Sequence, residues 1–192
     1  ERTRVILVEA GPRILATFSE NLAKKASRDL ENLGVQVWTS TLVTNITEHG
    51  VQFGAEEVIA KTVIWAAGVK PSSLGQTLGV PLDHLGRVMI EKDLSLKTFP
   101  NVFVLGDMAH FPTEDGKGLP GLAPVAMQQG THAAKNIQRS VLGQPREEFR
   151  YLDKGTMATI GRKKAVAQFW RFEFTGFVAW FMWLFIHIYY LI

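Results

Sequence analysis

Residues 4–38 read as strand, helix, strand, and that alternation narrows the chain to a layered α/β fold. Arg4 to Val8 is an apolar run that reads as a buried strand. Ser19 is placed to cap a helix reaching about Leu33. Leu22, Ala23, Ala26, Leu30 and Leu33 form its apolar stripe, and Lys24, Lys25, Arg28 and Asp29 lie outside it. Gly34 is a natural stop for that helix, and Val35 to Trp38 is the next strand.

Further along, Thr41 to Glu48 and Gly50 to Phe53 read as antiparallel strands, with Val58 and Ile59 extending the meander. Lys61 to Ala66 reads as a buried strand ending at Ala67-Gly68-Val69-Lys70-Pro71. Pro71 to Asp83 is loop-rich, Arg87 to Ile90 is a short strand, and Val102 to Leu105 is a buried strand running into Gly106-Asp107. A Gly/Pro-rich loop over 112–122 leads to a helix from about Pro124 to Leu142. Candidate strands follow near 149–152, 156–160 and 165–169. There are no internal repeats.

Several of these junctions carry groups suited to ligands. In a doubly wound sheet, ligands bind just outside the carboxyl ends of the strands. Gly106 lets a ligand approach the backbone, and Asp107 offers a carboxylate to sugar-type hydroxyls, although Leu-Gly-Asp is also what a plain strand-to-turn junction looks like. Glu9 closes the first strand. In a dinucleotide fold, an acid at that place bonds ribose hydroxyls and repels a 2′-phosphate, while the neighbouring Arg13 would favour one. The small residues around Gly68 suit either close approach of a planar ring or a chain crossover.

In Ala123-Pro124-Val125-Ala126-Met127-Gln128-Gln129-Gly130, a helix N-terminus presents free N–H groups and a partial positive charge. Pro124 fits its first turn. Such an end matches an electron-rich ring edge, and Gln128 or Gln129 offers an amide to a carbonyl ligand, or is simply a polar surface residue.

Composition removes other classes. The chain has 192 residues, 46% hydrophobic and 20% charged, which is ordinary for a globular protein. A net charge of +3 and no basic run interleaved with aromatics argue against nucleic acid. There are no cysteines, which excludes disulfide scaffolds and redox thiols within this span, and the five histidines show no metal-ligand spacing. Arg162-Lys163-Lys164 is either a solvated turn or a contact for anionic headgroups.

Gly176 to Ile192 carries no formal charge. As a helix it would reach about 25 Å at roughly 1.5 Å per residue, where a bilayer needs about 20 residues. Trp180, Trp183, His187 and Tyr190 form an aromatic, amphipathic face; Phe177, Phe181, Leu184, Ile188 and Leu191 form a more purely apolar one. We expect a helix lying in one leaflet, ahead of a spanning helix or a buried dimer helix.

Taken in order, VILVEAGPRIL, WAAGVKP, NVFVLGD, APVAMQQG and GFVAWFMWLFIHIYYLI resemble the type II NADH dehydrogenases, FAD-dependent NADH:quinone oxidoreductases, over nearly the whole chain. The resemblance implies an α/β, two-dinucleotide-binding-domain (Rossmann-like) flavoprotein fold, incomplete at its N-terminus, with a C-terminal membrane helix. It divides the chain into the end of an NAD(H)-binding domain (1–70), the end of an FAD-binding domain (71–145), a β-rich segment (146–174) and an anchoring helix (175–192).

The cofactors it implies are FAD and NAD(H). Glu9 then contacts the NADH ribose and Gly68 lies near the nicotinamide half. Gly106, Asp107 and Ala126 belong to the FAD site. Gln128 lines the quinone pocket with Gln129 beside it, and Lys154 falls near a basic residue by the quinone. Many members carry Ala-Gln where this chain has Ala123-Pro124, which removes one amide.

The implied partners are NADH, a quinone and membrane lipid, with a homodimer left open. The implied place is the cytoplasmic face of a bacterial inner (plasma) membrane. Both glycine-rich phosphate loops would precede residue 1, Glu1-Arg2-Thr3 reads as a start within a domain, and these residues alone should be inactive. A soluble ferredoxin or disulfide reductase relative and a non-catalytic, membrane-anchored nucleotide-binding module are the competing readings.

Overall fold

Strand β1 (Val5–Val8), helix α1 (Glu20–Glu31) and strand β2 (Val35–Trp38) form the expected unit, with β1 and β2 parallel from Val5 opposite Val35 to Val8 opposite Trp38. The computed structural model describes residues 4–191, so Glu1-Arg2-Thr3 and Ile192 lie outside the described residues. Two compact units emerge, one made of residues up to Trp65 together with those from Asp153 onward, the other of Ala66–Leu152.

In the first unit, the Ser19 hydroxyl accepts the Leu22 N–H at 3.3 Å and caps α1. Gly34 ends that turn at φ +87°. Leu22, Ala23 and Ala26 are buried as the 3.6-residue period requires. A small antiparallel meander follows: β3 (Asn45–Ile46), β4 (Gly50–Phe53) and β5 (Glu56–Ile59). Only two residues of the expected 41–48 strand pair.

The expected strand 61–66 does not form. The segment is exposed throughout, with Ile64 at 83%, and among the described residues no strand lies alongside to take its backbone hydrogen bonds.

The second unit holds a short helix α2 (Leu74–Thr77), the parallel pair β6 (Val88–Met89) and β7 (Ala109–His110), and the long helix α3 (Ala123–Val141). Its core gathers Val88, Ile90, Leu94, Leu96, Val104 and Phe149. Val102 to Leu105 is extended without being a regular strand. Phe103 bridges Ser95, the Val104 N–H donates to Leu94 at 3.3 Å, and a 3-10 turn (Gly106–Met108) follows.

Residues 149–152 likewise form no strand. The Phe149 N–H donates to the Lys92 carbonyl at 2.8 Å, and side-chain amides of α3 hold Leu152 and several other irregular stretches. Gln128 brackets Leu152, Gln129 takes Gly106, and Asn136 takes Asp93 and Glu147. Those bonds replace a ladder.

Back in the first unit, β8 (Thr156–Gly161), β9 (Lys164–Phe169) and β10 (Phe172–Thr175) form an antiparallel sheet in the order β10-β9-β8. Strand β10 lacks a sequence expectation because Phe172-Glu173-Phe174-Thr175 is too short to show a period. Alternation along β9 faces Val166 toward α1, where it meets Leu22, Ala26 and Phe18. Ala165 and Ala167 face the other way, onto helix α4 (Gly176–Leu191) at Ala179. All three alanines are fully buried, so the helix axis lies close to the sheet.

That packing changes the expected division of the tail's faces. Trp180 is half-buried against Ala165, Ala167 and Ala179, Trp183 is half-buried too, and Phe177, Phe181, Phe185 and Ile188 form an exposed stripe. No helix among the described residues is long and apolar enough to cross a membrane.

Candidate functional site

The head of α3 is where the second unit concentrates ligand-competent groups. Helix α3 begins with Pro124 in its first turn, with no side-chain cap and no acid within that turn, so no residue of the helix itself offsets its positive end. Gly106 sits against it at φ +62°, and a Cβ there would stand 3.1 Å from the Ala126 Cβ. Only glycine satisfies both the left-handed backbone and the contact. Ala126 is small for the same reason.

The Gly106 N–H donates to Gln129 Oε1 at 2.7 Å, which fixes the 3-10 turn to the helix. Asp107 is thereby carried out into solvent beside the helix start. Among the described residues its carboxylate has no hydrogen bond or ion pair. Gly121, one residue before the Leu122 cap, lies on it: a Cβ at 121 would be 3.0 Å from Asp107 Oδ1 and 3.7 Å from Val69. The structure therefore collects Gly106, Asp107 and Ala126 with the Gly68-Val69 turn close by, Gly68 being exposed at φ +101°.

The two glutamines behave differently. Gln128 donates from Nε2 to the Leu152 carbonyl and accepts the Leu152 N–H on Oε1, both at 3.0 Å. Its amide is engaged once at each end, which fixes its orientation and leaves one N–H and one oxygen lone pair for a ligand. Gln129 is 1% exposed, with its oxygen on Gly106.

Glu9 and Lys154 belong to the other unit. Glu9 Oε1 accepts the Gly11 N–H at 2.7 Å, which shapes the turn after β1 and leaves the second oxygen without a partner among the described residues. Arg13 donates to the carbonyls of Ala16 and Phe18, a use the sequence does not reveal, and this turns its guanidinium onto its own loop. Lys154 is exposed in a turn closed by the Gly155 N–H donating to Asp153 at 2.8 Å.

Sequence reasoning missed the polar cluster that supports this site. Arg87 Nε donates to Asp83 Oδ2 at 2.7 Å, Nη1 donates to the Leu119 carbonyl at 3.0 Å, and Nη2 donates to the Lys117 carbonyl at 3.0 Å. His110 Nδ1 lies 2.9 Å from the same Asp83 oxygen and 3.0 Å from Arg87 Nη2. The ring donates to Asp83 in one tautomer and accepts from Arg87 in the other. Burial pushes the Asp83 carboxyl up, but the Arg87 backbone N–H, its guanidinium and His110 outweigh burial and hold it well below the usual carboxylate range. The readable signal was Asp83-His84-Leu85-Gly86-Arg87, an acid and a base four apart around a turn glycine.

Residues 2–130 match the pyridine nucleotide-disulphide oxidoreductase family. The type II NADH:quinone oxidoreductase Ndh of Mycobacterium tuberculosis is 38% identical over 203 residues, covering 100% of this chain and 43% of its own length. That of Staphylococcus saprophyticus is 34% identical over 186 residues, covering 94% of this chain and 46% of its own. These relatives bear the name implied by the motifs.

Among solved structures, NDH2 of Plasmodium falciparum, determined in complex with NADH, superposes with a TM-score of 0.85 at 16% identity, over 98% of this chain and 55% of that one. This likeness establishes the shared fold. The chain thus spans about half the length of the proteins it matches. With its family match running from the first strand through the start of α3, the chain belongs to the pyridine nucleotide-disulphide oxidoreductase family.

Proposed function

We propose that the complete protein is a membrane-attached oxidoreductase that passes electrons from NADH through FAD to a quinone. The observation that carries this is the free Asp107 carboxylate at the uncapped head of α3, in a chain 38% identical over its own length to 43% of a type II NADH:quinone oxidoreductase.

The residues present suit FAD. Asp107 has an unshared carboxylate for the hydroxyls of a ribityl chain, and the glycines at 106 and 121 leave the backbone open around it. The α3 terminus supplies N–H groups and a partial positive charge to an electron-rich ring edge. When bound, the flavin supplies the redox chemistry, and the protein supplies binding, orientation and electrostatics. The net change is a hydride from NADH and a proton from water converting quinone to quinol.

Within this scheme Glu9 accepts the adenosine ribose hydroxyls through its free oxygen, and the chain favours NADH because Arg13 is committed to Ala16 and Phe18. Gly68 leaves room at the nicotinamide half. Gln128 borders the quinone together with the Leu152 segment it brackets, while Gln129 acts by holding Gly106. Lys154, exposed in its own turn, is assigned to the quinone only because the resemblance puts a basic residue there. No side chain here serves as a nucleophile.

Attachment runs through α4. Its Ala179 side is occupied by β9, and the opposite stripe of Phe177, Phe181, Phe185 and Ile188 is free to enter one leaflet. One packed face and one exposed apolar stripe suit a helix lying in the interface, and we assign it to the cytoplasmic face of a plasma membrane.

The test is spectroscopic, on the complete protein in detergent. A flavin spectrum bleached by NADH and restored by a soluble quinone analogue supports the assignment. A flavin that NADH reduces and quinone leaves reduced points to a ferredoxin- or thiol-linked reductase. A protein without flavin overturns the reading.

A further inference from the structure

We propose that Arg87 is a positioning residue for the Asp107 site, acting as the clamp that holds the 112–122 loop in place. The inference rests on the reading of Asp107 as a flavin ligand. The loop leads from β7 to the start of α3, and its last residues are Gly121, in contact with Asp107, and Leu122, the cap residue of the helix. Its internal bonds are all local: Thr113 with Asp115, the Lys117 N–H to Asp115, the Gly118 N–H to the Thr113 hydroxyl, and the backbone N–H groups of Gly116 and Leu122 to the carbonyls of Thr113 and Pro120. Arg87 ties it to the folded body, with one guanidinium reaching the carbonyls of Lys117 and Leu119 at 3.0 Å each.

Arg87 is itself immobilised. Its Nε is bound to Asp83 Oδ2, and the other carboxylate oxygen accepts the backbone N–H groups of Leu85 at 2.9 Å and Arg87 at 2.8 Å. The side chain is 12% exposed and Asp83 is 5% exposed, so the fork is preorganised with little solvent competition. Gly118 shows how close the fit is. At φ +73°, a Cβ there would lie 3.0 Å from His110 Nδ1 and 3.2 Å from Arg87 Nη2. Carbonyls at 117 and 119 are thus delivered to one planar donor, and the chain then passes to Gly121 beside Asp107. Loosening the clamp would let Gly121 and Leu122 drift, changing both the space over Asp107 and the exposure of the α3 terminus.

Two kinds of variant probe this in the complete protein. Arg87→Gln and Arg87→Lys remove or reduce the fork. Gly118→Ala pushes the loop from it while keeping Arg87. FAD affinity of the stripped protein, the visible circular dichroism of bound flavin, and tryptic cutting after Lys117 are read together with the melting temperature. The cavity variant Leu96→Ala in the same core serves as a comparison for plain destabilisation.

We expect Arg87→Gln and Gly118→Ala to weaken FAD binding at least tenfold, alter the flavin dichroism and speed cutting after Lys117. Arg87→Lys should recover part of the affinity, because an ammonium reaches some of these acceptors without the planar fork. Leu96→Ala should lower the melting temperature with flavin dichroism unchanged. Arg87 variants that bind flavin with wild-type affinity and dichroism, in a protein whose Asp107→Asn form loses flavin, overturn the clamp alone. A loss of flavin in Leu96→Ala equal to that in Arg87→Gln overturns it too. A wild-type protein that holds no flavin overturns the cofactor reading and the clamp with it.

Discussion

Gln129 Oε1 accepts the Gly106 N–H at 2.7 Å, across a sequence separation of 23 residues, and this bond fixes where Asp107 stands. The glutamine is buried and the glycine has no room for a side chain against Ala126. The turn and the helix therefore form one rigid feature.

Gln129→Ala should cost about 2–4 kcal/mol of stability, since it leaves a half-buried N–H without its partner and opens a cavity. Denaturant midpoints of the complete protein would measure this. A change under about 0.5 kcal/mol would mean that Gly106 finds another acceptor.

Gln128→Ala should release the Leu152 segment without unfolding the unit, because the bracket it makes is local and polar. Amide exchange at Leu152 should accelerate by more than tenfold while the α3 amides stay protected. Gln128→Glu keeps the acceptor for the Leu152 N–H and loses the donor, so its exchange should be intermediate.

Acid should weaken the second unit through Asp83 and Asp93. Both are pushed up by burial, and both are held low by stronger bonds: Arg87 and His110 at Asp83, and the Ser95 hydroxyl and N–H with Arg146 at Asp93. Their folded values lie below the unfolded value of about 3.9. Their stabilisation is thus complete above that value and is lost as pH falls through the depressed folded values. Melting temperatures should fall steadily below about pH 4, and less steeply in Asp83→Asn. A wild-type curve that stays flat down to about pH 2 would contradict this.

Ala179→Leu should destabilise the first unit by about 1–3 kcal/mol, because three fully buried alanines set the spacing between α4 and β9. A near-neutral result would show that the helix can lift.

Phe181→Ser with Phe185→Ser removes two rings from the free stripe of α4 while sparing the packed side. Binding of the complete protein to lipid vesicles should drop at least tenfold with the melting temperature nearly unchanged. Undiminished binding would move the attachment elsewhere.

Local rules make much of this protein legible in its sequence. The Ser19 cap, the Gly34 stop and the apolar stripe of α1 depend on residues within a few positions of one another. So do the alternation that makes β8 and β9 and the Pro124 start of α3. The Gly106-Asp107 turn is readable too, because a glycine followed by an acid at the end of an apolar run is itself local.

Distant partners decided the rest. An apolar run at 61–66 becomes a strand only beside another strand, and among the described residues none accompanies it. The segments at 102–105 and 149–152 are patterned like strands, yet their backbone groups go to neighbouring loops and to amides on α3. Gln128 and Gln129 look equivalent as letters, but a helix turns adjacent residues about 100° apart, so one brackets Leu152 and the other is buried on Gly106. Arg87 draws its partners from positions 83, 110, 117 and 119, which only the folded chain brings together. Periodicity and turn chemistry are properties of the sequence itself, whereas the choice of partner for a polar group is a property of packing.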